Sequence, residues 1–382
     1  MSDRQPTDPS QLAAELEANP AFAAVRDAAA GMPAYVVGGG VRDGLLGRRH
    51  LDLDVVVEGE VAPLIEALGG EVTEHERFGT AVVTMAGAEV DVARARAETY
   101  PEPGSLPEVR PATIVEDLAR RDFSINAMAF PLDAGDGDAL IDPHGGREDL
   151  AGGVVRVLHE RSFADDPTRA LRAARYLSRF GFRLDPDTER HLREADLGTV
   201  SEDRVVGELA RIAAEERPSG ALELIASWEL LELGTGPRLV AAIEDLLDSS
   251  EEWRRFADRS TAILLAVAPG EHPRRLRQRA GRLARHEPPA SPAEVQVLAR
   301  DHVPEVLAIA RAAGAEWLDE YVARLRHVEL EISGYDLIEA GVPEGPAVGR
   351  GLNAALAAKL DGDADGYEDE LRVALDAAEA ER

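Results

Sequence analysis

The spacing of hydrophobic and polar residues changes along the chain, from short strand-like runs to long helical patterns. A glycine turn at 38–40 follows the first apolar run, and residues 41–46 continue as a helix. Strand-like runs occupy 34–37, 51–57, 80–85 and 88–93. Runs of this length and β-branched content predict an α/β domain with a small sheet, which ends near Leu150.

Apolar residues recur at three- and four-residue spacing through most of the remaining chain, which predicts helices. The predicted helices cover 11–30, 167–180, 204–215, 219–232, 238–248, 294–313, 314–328 and 351–378. Segment 99–111 contains four prolines and a glycine, so it is predicted to be a loop. The predicted organisation is an α/β head followed by a long helical remainder.

Composition and charge narrow the classes of protein that this sequence can belong to. The chain has no cysteine, which excludes disulfides, cysteine-ligated zinc and a thiol nucleophile. The polar N-terminus resembles no signal peptide and no apolar run reaches the length of a membrane span, so we expect a cytoplasmic protein without membrane contact. The net charge of −30 argues against a nucleic-acid partner. However, segment 272–286 carries six arginines and no acidic residue.

Two carboxylates alternate along the second strand-like run, at Asp52 and Asp54. Residues i and i+2 of a strand face the same side, and two carboxylates on one side repel each other unless a cation lies between them. Asp91 on a neighbouring run is a candidate third carboxylate. Carboxylate oxygens are ligands that Mg²⁺ prefers. The pattern therefore predicts a metal site, and the alternative is an exposed polar edge strand.

The glycine turn offers backbone N–H groups at the start of a helix, where a triphosphate can bind, and Arg42 follows one turn later. A dinucleotide-binding motif starting at Gly38 is excluded because Asp43 stands where its third glycine is required. No Gly-Lys-Ser/Thr sequence follows, which excludes a Walker A loop. A purely structural turn with positive φ remains the alternative.

Six segments, in order, resemble motifs of the bacterial-type (class II) tRNA nucleotidyltransferase/poly(A) polymerase family. The first three are VGGGVRDGLLGRRHLDLDVVV (37–57), EDLARRDFSINAMAF (116–130) and IDPHGGREDL (141–150). The others are DDPTRALRAARYLSRFGF (165–182), SEDRVVGEL (201–209) and ISGYDLIEAGVPEGPAVGRGL (332–352). Because the matches span residues 37–352, the resemblance covers most of the chain.

The resemblance implies the α+β fold of this family. A polymerase-β-like palm head with a small mixed sheet would occupy 1–150, followed by a helical neck (151–215), body (216–290) and RNA-binding tail (291–382). It also implies that Asp52 and Asp54 bind Mg²⁺, and Asp91, the candidate third carboxylate on the neighbouring run, would join them in catalysis. Nucleotide would be bound by Gly38, Gly39, Arg42, Arg121, Asp166, Arg169, Arg172 and Arg175. The partners would be CTP, ATP and the 3′ end of tRNA, and the sequence indicates no protein partner.

The fourth motif suggests how protein side chains select a base. Asp166 and Arg169 would face the base, while Arg172 and Arg175 would line the phosphates; the usual glutamate before Asp166 is replaced by Asp165. The four selecting positions are three residues apart and would form a slanting stripe on one helix. A carboxylate only accepts hydrogen bonds and a guanidinium only donates them, which matches the edge that cytosine and adenine share. The alternative is a set of ordinary helix-face charges.

Several functions stay open at this stage. The product is complete CCA, A alone or poly(A), and segment 95–123 resembles the head loop of A-adding members. Absence of a His-Asp phosphohydrolase motif means that the additional phosphatase of some members is not expected. The rivals from other classes are a catalytically inactive RNA-binding module and a transferase acting on small molecules. Segment 272–286 is predicted to contact RNA phosphates, with a solvated helix face as the alternative.

Overall fold

The structure is a computed structural model and describes residues 9–48, 53–75, 80–85, 88–133 and 140–380. It contains two compact units. The first comprises Met1–Glu208 and Leu224–Glu232, and the second comprises Leu209–Glu223 and Leu233–Arg382. The division into head, neck, body and tail stays a prediction. In the part of the chain that the structure describes, no helix combines the length and apolar character needed to span a bilayer.

A mixed six-stranded sheet forms the centre of the first unit. The strands of this unit are β1 (Ala34–Val37), β2 (Leu53–Val57), β3 (Glu71–His75), β4 (Thr80–Met85), β5 (Ala88–Arg94), β6 (Arg96–Thr99), β7 (Glu108–Pro111), β8 (Ala129–Pro131), β9 (Val154–Val155) and β10 (Arg183–Leu184). The large sheet has the order β3-β4-β5-β2-β1-β8. Strands β2 and β5 are parallel, and its other pairs are antiparallel.

Helices surround this sheet and make up most of the remaining chain. The first unit has α1 (Pro9–Glu17), α2 (Pro20–Ala28), α3 (Gly39–Leu45), α4 (Ala62–Leu68), α5 (Ile114–Ala119), α6 (Gly146–Gly152), α7 (Ser162–Asp165), α8 (Thr168–Phe180) and α9 (Pro186–Leu192). Helices α10 (Glu202–Ala213) and α11 (Pro218–Ser227) each include residues of both units. The second unit continues with α12 (Gly236–Ser249), α13 (Glu251–Phe256), α14 (Arg259–Val267), α15 (Glu271–Ala284), α16 (Pro292–Ala299), α17 (Pro304–Ala312), α18 (Leu318–Ala323), α19 (Gly334–Glu339), α20 (Pro346–Asp361) and α21 (Tyr367–Glu379). The predicted α+β class, a mixed-sheet head followed by helices, is confirmed.

Buried valines explain why the central strands form and which way their polar residues face. Val36, Val55, Val90 and Val92 are at most 1% exposed and belong to one hydrophobic core. Because side chains alternate along a strand, the residues between these valines project from the opposite face of the sheet. On that second face Val56 packs in a smaller cluster with Leu118 of α5 and others. This alternation gives the polar residues of β2 and β5 a common face.

Several predicted helices are interrupted, each time at a residue that ends or starts a helix. The predicted helix 11–30 is two helices, because Asn19 caps α2 and Pro20 is its first residue. Pro304 likewise begins α17 inside the predicted helix 294–313. The predicted helix 314–328 is α18 followed by a 3₁₀ turn at Leu325–His327. The predicted helix 351–378 breaks at Gly362, which has φ +82°.

The proline-rich segment 99–111 is only partly a loop. Strands β6 and β7 pair from Arg96↔Pro111 to Thr99↔Glu108, so residues 100–107 form the loop of a hairpin. Pro111 stands at the end of its strand, a position that tolerates the missing N–H group. The prolines therefore mark the end of a hairpin strand as well as the loop.

The second unit contains one very close helix–helix contact. A Cβ atom added to Gly351 of α20 would lie 2.6 Å from the carbonyl oxygen of Ala374 in α21 and 2.7 Å from Cδ2 of Leu337. Beside it, the buried carboxylate of Glu370 accepts a 2.6 Å hydrogen bond from Lys359, the only lysine in the chain. Small residues and one buried ion pair thus hold α20 against α21.

Candidate active site

Two carboxylates lie on the same face of the central sheet. Asp54 of β2 and Asp91 of β5 are direct register partners on parallel strands. Like charges at directly opposite positions are destabilising, unless a cation or other donors balance them. Asp52, which is predicted to bind metal together with Asp54, lies outside the described residues. Among the residues that the structure describes, no group of three metal-ligating side chains occurs. The donor set is carboxylate oxygen only, which fits a hard cation such as Mg²⁺.

Gly38 lies close to both a guanidinium group and the carboxylate of Asp54. This glycine precedes α3 with φ +63° and ψ −119°, a conformation that other residues rarely adopt. A Cβ atom added here would lie 2.7 Å from Nη1 of Arg121 and 3.9 Å from Oδ2 of Asp54. At Gly39, an added Cβ would lie 3.6 Å from Nη2 of Arg42, an ordinary contact distance. The glycine at position 38 is therefore needed for both its backbone angle and the room it leaves.

Asp117, which the sequence motifs did not single out, positions two arginines. Its side chain is fully buried and accepts hydrogen bonds from Arg120 Nη2 at 2.7 Å and from Arg121 Nη2 at 2.9 Å. Burial alone would raise the pKa of Asp117, but Arg121 and Arg120 outweigh it and lower that pKa. The carboxylate is therefore ionised, and it fixes Arg121 beside Gly38.

Arg42 is held from several sides. Its Nε and Nη2 donate to the two carboxylate oxygens of Asp43, each at 3.0 Å, and its Nη1 donates to Oδ1 of Asn126 at 2.5 Å. The guanidinium carbon lies 5.3 Å from the ring centre of Tyr176 and 5.0 Å from that of Phe180. Only 5% of the residue is exposed. Most hydrogen-bond donors of Arg42 thus already have partners within the protein. Direct contact of Arg42 with phosphate stays a prediction.

Asp122 and Arg172 form a second buried ion pair next to this group. Arg172 donates to Oδ2 of Asp122 from Nε at 2.8 Å, and its Nη2 lies 2.6 Å from the same oxygen. Burial would raise the pKa of Asp122, but Arg172 and the amide of Asn126 lower it to about 2. Asp122 raises the pKa of Arg172 well above its ordinary value. Both members of the pair are thus charged.

Arginines surround two stacked aromatic rings of α8. Tyr176 and Phe180 are stacked with their ring centres 6.0 Å apart. The guanidinium groups within 6 Å of one or both rings belong to Arg42, Arg48, Arg172, Arg175 and Arg179. Arg175 also donates from Nη2 to the hydroxyl of Tyr176 at 3.3 Å. Three of these arginines, Arg42, Arg172 and Arg175, are predicted site residues. Neither ring is predicted, although positions i and i+4 place both rings on one side of a helix.

Asp166 does not belong to the helix that carries Arg169, Arg172 and Arg175. It lies before α8 with φ −136° and ψ 92°, because Pro167 disfavours helical geometry in the preceding residue. The expected four-residue stripe on one helix is therefore wrong at its first position. Oδ1 of Asp166 accepts from the backbone N–H of Thr168 at 3.0 Å and from Nη2 of Arg204 at 2.8 Å.

Arg169 is almost completely buried, with 4% exposure. Its Nη1 donates to the hydroxyl of Ser162 at 2.6 Å, and its Nη2 donates to the carbonyl oxygen of Arg120 at 2.8 Å. Tyr100 lies near both selecting residues. Burial, followed by Glu98, raises the pKa of Tyr100 to about 12. Asp166 also raises this pKa, whereas Arg169 lowers it. The predicted base-selecting residues are thus adjacent, each fixed by a different partner.

Comparison with known proteins identifies the relatives of this chain. Residues 34–156 match the family model described as poly A polymerase head domain. An A-adding tRNA nucleotidyltransferase of Halalkalibacterium halodurans is 44% identical over 217 residues, which cover 52% of this chain and 50% of that protein. The chain spans between a quarter and a half of the length of the three A-adding relatives that it matches.

Two other matches extend over nearly the whole chain. A CC-adding tRNA nucleotidyltransferase of Deinococcus radiodurans is 35% identical, and the match covers 89% of this chain and 88% of that protein. The solved structure of the Thermotoga maritima CCA-adding enzyme complexed with tRNA has a TM-score of 0.73 and 29% identity, and it covers 97% of this chain and 99% of that one. From these matches and the paired carboxylates, we conclude that the chain belongs to the tRNA nucleotidyltransferase family.

Proposed function

We propose that this protein adds C and A nucleotides to the 3′ end of tRNA without a nucleic-acid template. The observation that carries the proposal is the position of Asp54 and Asp91, paired across parallel strands with Arg121 and Gly38 beside Asp54. In this reaction the terminal 3′ oxygen of the RNA forms a bond to the α-phosphorus of CTP or ATP. The bond from that phosphorus to the β-phosphate breaks, and pyrophosphate leaves.

The carboxylates would hold the divalent metal ion that this family generally uses, and we propose Mg²⁺. Asp52 and Asp54 would be its ligands, with Asp91 as a further carboxylate. When bound, the ion would lower the pKa of the attacking hydroxyl and neutralise charge on the leaving pyrophosphate. Two carboxylates on one sheet face support this assignment because their mutual repulsion is relieved by a cation.

The arginines around Tyr176 and Phe180 would bind the triphosphate. Asp43 and Asp122 already hold Arg42 and Arg172 in fixed positions, so little side-chain entropy is lost when a ligand binds. Arg175, from the same set, and Arg121 would contact phosphates together with the backbone at Gly38 and Gly39. Guanidinium groups suit this task because they present several donors in a planar fork.

Asp166 and Arg169 would select the base. Oδ1 of Asp166 is occupied by Arg204 and Thr168, while Oδ2 has no hydrogen-bond partner in the described part of the chain. This second oxygen would accept from the amino group that cytosine and adenine share, and Arg169 would donate to the adjacent ring nitrogen. Guanine and uracil present a carbonyl and a ring N–H at these positions. Such buried mismatches carry a large desolvation penalty.

The product that we propose first is the complete CCA end. Addition of A alone is the second candidate, because three matched relatives are named A-adding and segment 95–123 resembles their head loop. The match to a CC-adding relative covers 89% of this chain, so addition of C alone is a third candidate that the same experiment tests.

The deciding experiment uses three tRNA transcripts, which lack CCA, CA or only the final A. Each transcript is incubated with the protein, Mg²⁺ and CTP, ATP, UTP or GTP separately or together, and the 3′ ends are sequenced. Complete CCA synthesis is expected on all three. Extension of the A-lacking transcript alone would establish the A-adding activity instead. No extension of any transcript, with the protein folded, would refute the proposed function.

A further inference from the structure

Helix α15 of the second unit carries an arginine face without neutralising carboxylates. The residues on this face, Arg274, Arg277, Gln278, Gly281, Arg282 and Arg285, line an open cleft of about 380 Å³. At 3.6 residues per turn these positions fall within about 140° of the helix circumference. Ala280 and Leu283 are buried on the opposite side. The basic face is therefore a continuous surface that the helical repeat produces.

None of the exposed residues Arg274, Arg282 and Arg285 forms an ion pair with any carboxylate in the part of the chain that the structure describes. On a helix, the usual partner lies three or four residues away. For Arg282 and Arg285 those neighbouring positions hold no acidic residue, and for Arg274 the one acidic neighbour is Glu271. Glu271, at the start of the helix, is bound by Arg275.

Other exposed arginines of the second unit behave differently. Arg324 pairs with Glu320 at 2.5 Å, Arg372 pairs with Asp369 at 3.1 Å, and Arg255 pairs with Glu251. Each of these pairs uses the three- or four-residue spacing of a helix. Arg274, Arg282 and Arg285 lack such partners in the described part of the chain, although the whole chain has 72 acidic residues.

The remaining arginine of the face, Arg277, binds carbonyl oxygens and has no carboxylate partner in the described part of the chain. Arg277 donates from Nη1 to the carbonyl oxygens of Leu265 and Ala268, both at 2.8 Å, at the end of α14. Burial, followed by repulsion from Arg274, lowers the pKa of Arg277. At the centre of the face, Gly281 has no side chain, and an added Cβ would lie 3.3 Å from Nη1 of Arg285. A polyanion can thus approach the helix closely at this point.

We propose that this face of α15 binds the phosphodiester backbone of the tRNA substrate. The inference rests on the proposed function, which supplies a polyanion as substrate. Phosphate contacts of this kind position an RNA without reading its sequence, so they suit an enzyme that must accept many tRNAs. Charge complementarity is the physical basis: α15 offers a local cation cluster in a protein of net charge −30.

The test measures tRNA binding as a function of salt. A triple variant, Arg274→Gln with Arg282→Gln and Arg285→Gln, is compared with a matched control, Arg255→Gln with Arg324→Gln and Arg372→Gln. Both variants change the net charge equally, but the control arginines are ion-paired. Fluorescence anisotropy gives the Kd for labelled tRNA between 50 and 200 mM salt. Thermal unfolding establishes that both variants are folded.

Each phosphate contact contributes about 0.7–0.9 to the slope of log K against log salt. Loss of three contacts should therefore lower the slope by about 2–3, while the control keeps the wild-type slope. Between 50 and 200 mM salt, the wild type should lose about 20- to 40-fold more affinity than the α15 variant. A second probe, binding to vesicles containing phosphatidylserine, should not distinguish the two variants.

Equal slopes in the α15 variant and the wild type would overturn the inference. An equal loss in the control variant would also overturn it, because bulk charge would then account for the effect. A selective loss of vesicle binding with unchanged tRNA binding would assign the face to a membrane surface and refute the inference. Failure of the wild type to extend tRNA would instead refute the proposed function, which separates the two failures.

Discussion

Replacement of Gly38 with alanine tests the link between the glycine turn and Arg121. The backbone at position 38 has a positive φ, and such a conformation costs a non-glycine residue about 1–3 kcal/mol. The new Cβ would also lie 2.7 Å from Nη1 of Arg121, so the guanidinium must move. Because Asp117 holds that guanidinium, displacement can cost a further 1.5–3 kcal/mol or so for charge-assisted hydrogen bonds. We expect a total loss of about 2.5–6 kcal/mol in the free energy of unfolding.

The activity of the Gly38→Ala variant should fall more than its stability suggests. A catalytic group displaced by about 1 Å typically reduces the rate on the order of 100-fold. Single-turnover addition of a nucleotide to tRNA, measured at a temperature where the variant is folded, gives the rate. Urea unfolding gives the stability.

Two further variants separate backbone strain from the displacement of Arg121. Gly69→Ala also places alanine at a positive φ, but nothing lies within 4 Å of the added Cβ, so only the strain of about 1–2 kcal/mol is expected. In an Arg121→Ala background, Gly38→Ala should likewise cost only strain. Equal costs of Gly38→Ala in the presence and absence of Arg121 would refute the proposed contact.

Three other predictions address the site directly. Asp54→Ala should abolish nucleotide addition while the unfolding free energy stays unchanged or rises, because one of two repelling carboxylates is removed; retained activity would remove Asp54 from the metal site. Asp166→Ala should change the ratio of C and A to U and G incorporation by about 5- to 150-fold in a four-nucleotide competition, whereas a purely structural aspartate predicts unchanged ratios. The folded-state pKa of Asp122 is about 2, below its ordinary value, so its pairing stabilises the protein above about pH 4 and this stability is lost as the pH falls towards 2. Between pH 5 and pH 2, the unfolding free energy measured with urea should therefore fall by about 2 kcal/mol less in Asp122→Asn than in the wild type. Identical pH profiles of the unfolding free energy would contradict the pairing.

The parts of the structure that local sequence determines were predicted well. The glycine turn, β1 and most of β2, β4 and β5 lie where alternation and glycine placed them, because such patterns depend on neighbouring residues. Helix lengths were overestimated wherever one apolar pattern continued through a break, as at Pro304 and Gly362. The spacing of apolar residues alone does not reveal the capping geometry that ends one helix and starts the next.

The candidate site was predicted less completely, because its contacts join residues far apart in sequence. Asp117 and Asp122 stood inside a recognised motif, yet their roles depend on burial and on partners such as Arg172, which is 50 residues from Asp122. Tyr176 and Phe180 were expected only as helix residues, and the arginines that gather around them come from two separate segments. No pattern within one segment reveals such convergence.

The hydrogen bonds of Arg204 have a consequence for how nucleotide preference can change. One guanidinium nitrogen donates to Asp166 at 2.8 Å, and the other donates to the carbonyl oxygen of Gly104, in the hairpin loop, at 2.7 Å. An added Cβ at Gly104 would lie 2.3 Å from Oγ1 of Thr199, so this loop tolerates little rearrangement without moving its carbonyl. Asp166, the carboxylate proposed to read the base, is thus tethered to a hairpin loop. Under the proposed selection mechanism, substitutions in that hairpin would change which nucleotide is accepted while every residue that touches the nucleotide stays the same, an evolutionary route between relatives with different products.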